Sequence, residues 1–161
     1  MTGEGYIYVV RLAPTAITAA KTLIQIKAGA AAIAILEARI YQTTKTASEL
    51  LAVQLIQYTG SPTAGTVTSA TPVPINPTDP AALAVGSTSA TGVNATAEPS
   101  GGTANIITEG VFNVLNGEWL YLPVPEGRER IAQGKLFGLK LNTAPAGSMT
   151  IGGYVKLIEY Q

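Results

Sequence analysis

The sequence predicts an all-β fold, a sandwich or barrel, and three features carry the prediction. Short apolar runs alternate with period two. Turns rich in Gly and Pro separate them. No stretch makes a convincing long helix. At 161 residues the chain suits one domain with a hydrophobic core of its own.

Taken in order, Tyr6–Leu12 is a β-rich run that Pro14 should close. Residues 1–12 are therefore either a first strand or an arm that adds to another sheet, and residues 13–161 form the sandwich. Thr22–Ala28 reads as a strand. From Ile33 to Thr43 the residues alternate, with Ala34, Leu36, Ala38, Ile40 and Gln42 on the expected buried side. The Ala-rich lead-in from Ala28 to Ala34 also suits a helix. Ser48–Thr59 fits two readings. Thr46 and Glu49 match a capping box, while Leu51, Val53 and Leu55 alternate. Strands on both sides favour the strand.

Residues 60–104 change texture, with Gly, Ser, Thr, Ala and Pro dominant. This is a loop-rich excursion, longer than compact domains usually tolerate without a role. Within it, Thr66–Val73 and Gly92–Ala97 are short strands. Asn76–Leu83 predicts a helical turn, with Asp79 as N-cap and Pro80 in the first helical position.

Asn116-Gly117 sits between two apolar runs, the strongest short-range sign of a β-hairpin. The expected register sets Val114 opposite Trp119, and Phe112 opposite Tyr121. One hairpin face then carries Phe112, Val114, Trp119 and Tyr121, and the other Val111, Leu120 and Leu122. A single core does not use both, so the second face should be covered by another layer or a neighbouring molecule. Glu126-Gly127 is a turn. Lys135–Leu141 alternates, with Phe137, Leu139 and Leu141 on one side. Met149–Tyr160 is a last strand whose Gly152-Gly153 predicts a bulge or a close backbone approach. About eight short strands result. A jelly roll is the preferred arrangement, because the long middle connection suits a Greek-key crossover.

Charged residues make up only 12% of the chain, little for a lone soluble domain and better suited to one hidden in an assembly. Their placement is uneven. Between Lys45 and Arg128 there are six acids and no base; the flanks hold all ten bases and the other four acids. Either the two parts neutralise each other within one fold, or they match head to tail between subunits.

Chemistry is poorly provided for. Histidine and cysteine are absent, which removes the commonest general base, thiolate nucleophiles and the usual zinc sites. There is no nucleophile elbow and no phosphate-cradling loop. Glu126 and Glu129 read as a solvated turn rather than a glycosidase pair. Asp79 lacks neighbouring acids for calcium. No cofactor, no metal and no enzymatic activity are expected. No basic groove for nucleic acid, no signal peptide and no membrane-spanning run is apparent.

Three stretches then carry a resemblance: Val10–Ala19 with Thr22–Gly29; Asn76–Ala81; and Phe112–Gly117 with Trp119–Glu126. Spread along most of the chain, they resemble a family of small virion proteins of tailed phages. The resemblance implies a structural role. Head members are decoration, or cement, proteins with a jelly-roll fold. They bind as homotrimers on the outer surface of the head, against the major capsid protein, after synthesis in the host cytoplasm. The candidate contact residues are Tyr6, Tyr8, Val10, Phe112, Trp119, Tyr121, Arg128 and Arg130. The alternative is a carbohydrate-binding or fibre-like host-recognition module, in which Trp119 and Tyr121 form an exposed stacking platform.

Overall fold

The computed structural model describes residues 5–44, 47–84 and 90–161. The strands are β1 (Gly5–Ile17), β2 (Lys21–Lys27), β3 (Ile33–Gln42), β4 (Leu50–Thr59), β5 (Thr66–Ser69), β6 (Val73–Pro74), β7 (Gly92–Ala97), β8 (Thr103–Asn113), β9 (Trp119–Tyr121), β10 (Arg130–Ile131), β11 (Leu136–Leu141) and β12 (Met149–Tyr160). One 3₁₀ turn, Pro125–Gly127, lies between β9 and β10. The loose segment expected before Gly5, and Thr46 of the capping box, lie outside the described residues.

Two six-stranded antiparallel sheets face each other across the core. The first runs β10-β3-β12-β1-β6, with β9 also pairing β3; the second runs β5-β7-β2-β11-β4-β8. Set aside β5, β6 and β7, which belong to the excursion, and the orders are β1-β12-β3-(β9, β10) and β2-β11-β4-β8. Successive main strands cross between the sheets, except that β4 and β8 pair within the second and β9 and β10 both join the first, the strand order of a jelly-roll-like sandwich. The all-β sandwich expected from the sequence is present.

The inward residues come from every main strand. Tyr8, Val10 and Leu12 meet Ile24, Ile26, Leu55, Phe137, Leu139, Val155 and Leu157, all fully or almost fully buried. Burying such side chains contributes about 1.5–3 kcal/mol each.

Bulges adjust the alternation in ways a single strand does not reveal. In β3, Glu37 opposes Lys156 and Ile35 opposes Leu157, so Leu36 is an extra residue. The inward set is therefore Ile33 and Ile35 before the bulge, and Ala38 and Ile40 after it. This corrects the expectation of one continuous inward row from Ala34 to Gln42. Pro14 does not end β1. Leu12 opposes Gly153 and Thr15 opposes Ile151, so Ala13 and Pro14 together face Gly152. The bulge removes the ladder position at which Pro would lack a donor. Pairing then resumes to Ile17. Residues 5–12 are accordingly a strand inside a sheet, between β12 and β6, and not a free arm.

The excursion leaves β4 and returns to β8 where Thr59 opposes Thr103. It crosses the second sheet to add β7 and β5 beyond β2, and adds β6 beyond β1. It is held by outward polar groups of β2. The buried Gln25 accepts from Gly65 N at 2.9 Å and donates to the Ala90 carbonyl. Glu98 accepts from Thr22 N and Thr22 Oγ1 at 2.7 and 2.8 Å. Beneath it, Ile56, Tyr58 and Leu136 form a second apolar cluster packed by Ala64.

The helical turn predicted at Asn76–Leu83 is not formed. Asp79 N donates to the Asn76 carbonyl at 3.0 Å, a single turn. The chain beyond it must instead extend, because Leu83 N and Ala84 N both donate to the buried Glu159 carboxylate at 2.9 Å. That satisfies a charge which would otherwise be costly inside the fold.

Candidate interaction surface

The predicted hairpin at Asn116-Gly117 does not exist as a paired unit. β8 pairs with β4 over ten positions, whereas β9 pairs with β3 in the other sheet. Residues 114–118 therefore carry the chain from one sheet to the other. Asn116 N donates to the Asn113 carbonyl at 3.0 Å, and Gly117 takes the positive φ of 128°. A ten-position ladder outweighs the local preference for a two-residue turn.

The expected division of faces nevertheless survives. Phe112, Val114 and Trp119 are buried in the main core and Tyr121 packs against it. The Trp119 indole spans towards β8. A Cβ on Gly110 would lie 2.7 Å from its Nε1, so this strand needs glycine where the ring arrives. Trp119 thus seals this flank of the sandwich.

The other set points outward. Val111 is 62% exposed, Leu122 68% and Val124 67%, with Leu115 and Leu120 also exposed. Leu50, beside the end of β8, joins them. They border one flank, since β8 is the edge of one sheet and β9 pairs the outermost long strand of the other.

Four of the candidate contact residues are corrected by their burial. Tyr8, Val10, Phe112 and Trp119 serve the chain's own core and offer no outer surface. Burial of Trp119, at 9% exposure, also removes the expected stacking platform. Tyr8 reaches a polar rim, donating to the Pro80 carbonyl at 3.0 Å and accepting from Gln161 Nε2 at 3.1 Å. Burial foremost, and the Glu159 charge next, push its phenol up. Tyr6 and Tyr121 are half-buried. Burial, aided by Glu129, raises the Tyr121 phenol. Arg128 is half-buried, and its Nε has no hydrogen-bond partner. Arg130 is exposed, its guanidinium 5.1 Å from the Tyr160 ring centroid. Leu50, Leu115 and Val124 were missed. Leu50 could have been found from the alternation of Leu51, Val53 and Leu55, which turns it outward.

The charge asymmetry is partly neutralised inside the chain. Lys140 Nζ lies 3.4 Å from Glu98 Oε2, and Arg39 Nη2 lies 3.1 Å from Glu118 Oε1. Each pair joins a base of the flanks to an acid of the middle block. Among the described residues no cluster of three or more His, Cys, Asp or Glu is placed to hold a metal, and no helix is long and apolar enough to cross a membrane.

No family model matches the chain, and neither a curated protein nor a solved structure matches it.

Proposed function

We propose that this chain is a non-enzymatic structural protein of a tailed-phage particle, a decoration protein that binds the outer surface of the head as a homotrimer and braces the shell of major capsid protein. The observation that carries the reading is the exposed apolar flank from Val111 to Val124, attached to a sandwich whose core is already complete without it. Covering the five exposed aliphatic side chains there would contribute on the order of 6 kcal/mol before the opposing cost of association. Repetition around a shell turns modest contacts into tight retention. The resemblance of the three stretches quoted above supplies the virion setting. The phage setting and the trimer rest on that resemblance and on this flank.

The test pairs a mass measurement on the purified chain with binding to isolated heads lacking it. The expected result is a trimer that decorates the heads. The double variant Leu122→Asp, Val124→Asp should keep its melting temperature and lose retention by about tenfold or more. A monomer that ignores heads, or a double variant that binds them normally, overturns the proposal.

A further inference from the structure

The outer face of the first sheet is built differently from the greasy flank. Three cross-strand rows define it: Tyr41 with Gly152; Arg39, Tyr154 and Arg11; and Glu37, Lys156 and Val9. The phenol end of Tyr41 lies directly over Gly152, where an added Cβ would come within 2.6–2.8 Å of its Cζ, hydroxyl and Cε2 atoms. Tyr154 is half-exposed and fixed by three neighbours. Its hydroxyl donates to Glu37, and Arg39 and Lys156 lie 5.6 and 5.2 Å from its ring centroid. Glu37 also takes Lys156 at 2.6 Å.

Of the three cations on this face, two are neutralised. Lys156 pairs with Glu37, and Arg39 with Glu118. Arg11 is exposed and has no carboxylate partner among the described residues. It stands between two shallow grooves that both include Val9. One, of about 400 Å³, is walled by Tyr41, Tyr154 and Lys156; the other, of about 390 Å³, by Thr71 and Val73. Together they make an oblique trough across β3, β12, β1 and β6, roughly 14 Å at the usual strand spacing.

We propose that this trough binds a short acidic oligosaccharide, with Arg11 taking a sugar carboxylate and the two tyrosines taking the sugar body. The charge and the shape argue together. A free guanidinium presents a planar fork that matches a carboxylate in bidentate fashion. The Tyr154 ring, fixed by Glu37, Arg39 and Lys156, and the Tyr41 ring over Gly152 offer apolar surface to a sugar. A neutral sugar would leave the uncompensated charge unused. An acidic peptide would use the charge and gain little from the rings. The proposal is independent of the decoration role, since it concerns a different face.

The test is an NMR and calorimetric titration of the full chain. Trigalacturonate and N-acetylneuraminic acid are the probes; maltotriose and pentaglutamate are the controls. At least one acidic sugar should bind in the millimolar range or tighter and shift the Tyr41 and Tyr154 ring signals. Arg11→Gln should weaken it by about tenfold and leave the melting temperature unchanged, because Arg11 is exposed. Arg11→Lys should restore only part, since it keeps the charge and loses the fork. Absence of binding by both acidic sugars, unaltered affinity in Arg11→Gln, or equal binding of pentaglutamate overturns the proposal; the last would mark a protein-docking face instead.

Discussion

Two adjacent glycines in β12 should respond unequally to the same substitution. In Gly153→Ala the new Cβ would lie 2.4 Å from the Arg39 carbonyl oxygen, 3.4 Å from its carbon and 3.5 Å from Ile40 Cα. A carbon–oxygen contact of this kind settles at about 3.3 Å or more, so the β3–β12 ladder must open by about 0.9 Å. Backbone in the middle of a sheet cannot swing away, and overpacking of this sort costs about 1–3 kcal/mol. At about 2–4 °C per kcal/mol for a chain of this size, the melting temperature should fall by about 2–12 °C. In Gly152→Ala the obstacle is the far end of the half-exposed Tyr41 side chain, which can rotate outward. Alanine also suits a strand better than glycine by about 0.5–1 kcal/mol. The net change should stay within about 1 kcal/mol. Thermal denaturation followed by circular dichroism decides the matter. Equal losses, or a larger loss in Gly152→Ala, would refute the assignment of the two contacts.

Two further predictions concern the clasp and the outer ion pair. Gln25→Ala leaves the Gly65 N–H and the Ala90 carbonyl without their amide partner, at about 1–3 kcal/mol. Limited proteolysis should then cut faster within residues 60–102, and unchanged resistance would contradict the clasp. Glu37 has a second signature, in pH. Burial pushes its carboxyl up, but Lys156 and Tyr154 together hold it below the usual range. A depressed folded pKa stabilises the protein above the unfolded value of about 4.3, and that stabilisation is lost as pH falls through the folded value. The melting gap between wild type and Glu37→Gln should therefore be widest near neutrality and narrow in acid. A gap independent of pH would count against the ion pair.

Much of the sandwich was legible because burial imposes period two on strands with one wet face. Leu136–Leu141 and Met149–Tyr160 read directly, and Gly92–Ala97 was found even inside a loop-rich region. What escaped the sequence was relational. The extra residue at Leu36 matters only against Lys156 and Leu157, which lie more than a hundred residues away. Asn116-Gly117 carried a true turn signal, but turn chemistry does not choose partners. β4 and β3 did so, drawing the flanking segments into different sheets. The candidate surface was half legible for the same reason. Inward and outward residues separated as the alternation required, yet which set met the core depended on where Trp119 landed. Arg11, Tyr41 and Tyr154 come from three strands, so no local motif announces their meeting.

The chain order has a consequence for biosynthesis. β12 lies between β3 and β1, and β11 between β2 and β4, so each sheet takes its keystone from residues 136–160. A nascent chain that has reached only residue 135 holds both sheets with their centres missing. Cooperative closure must await the synthesis of β11 and β12, whose partners lie far back along the chain.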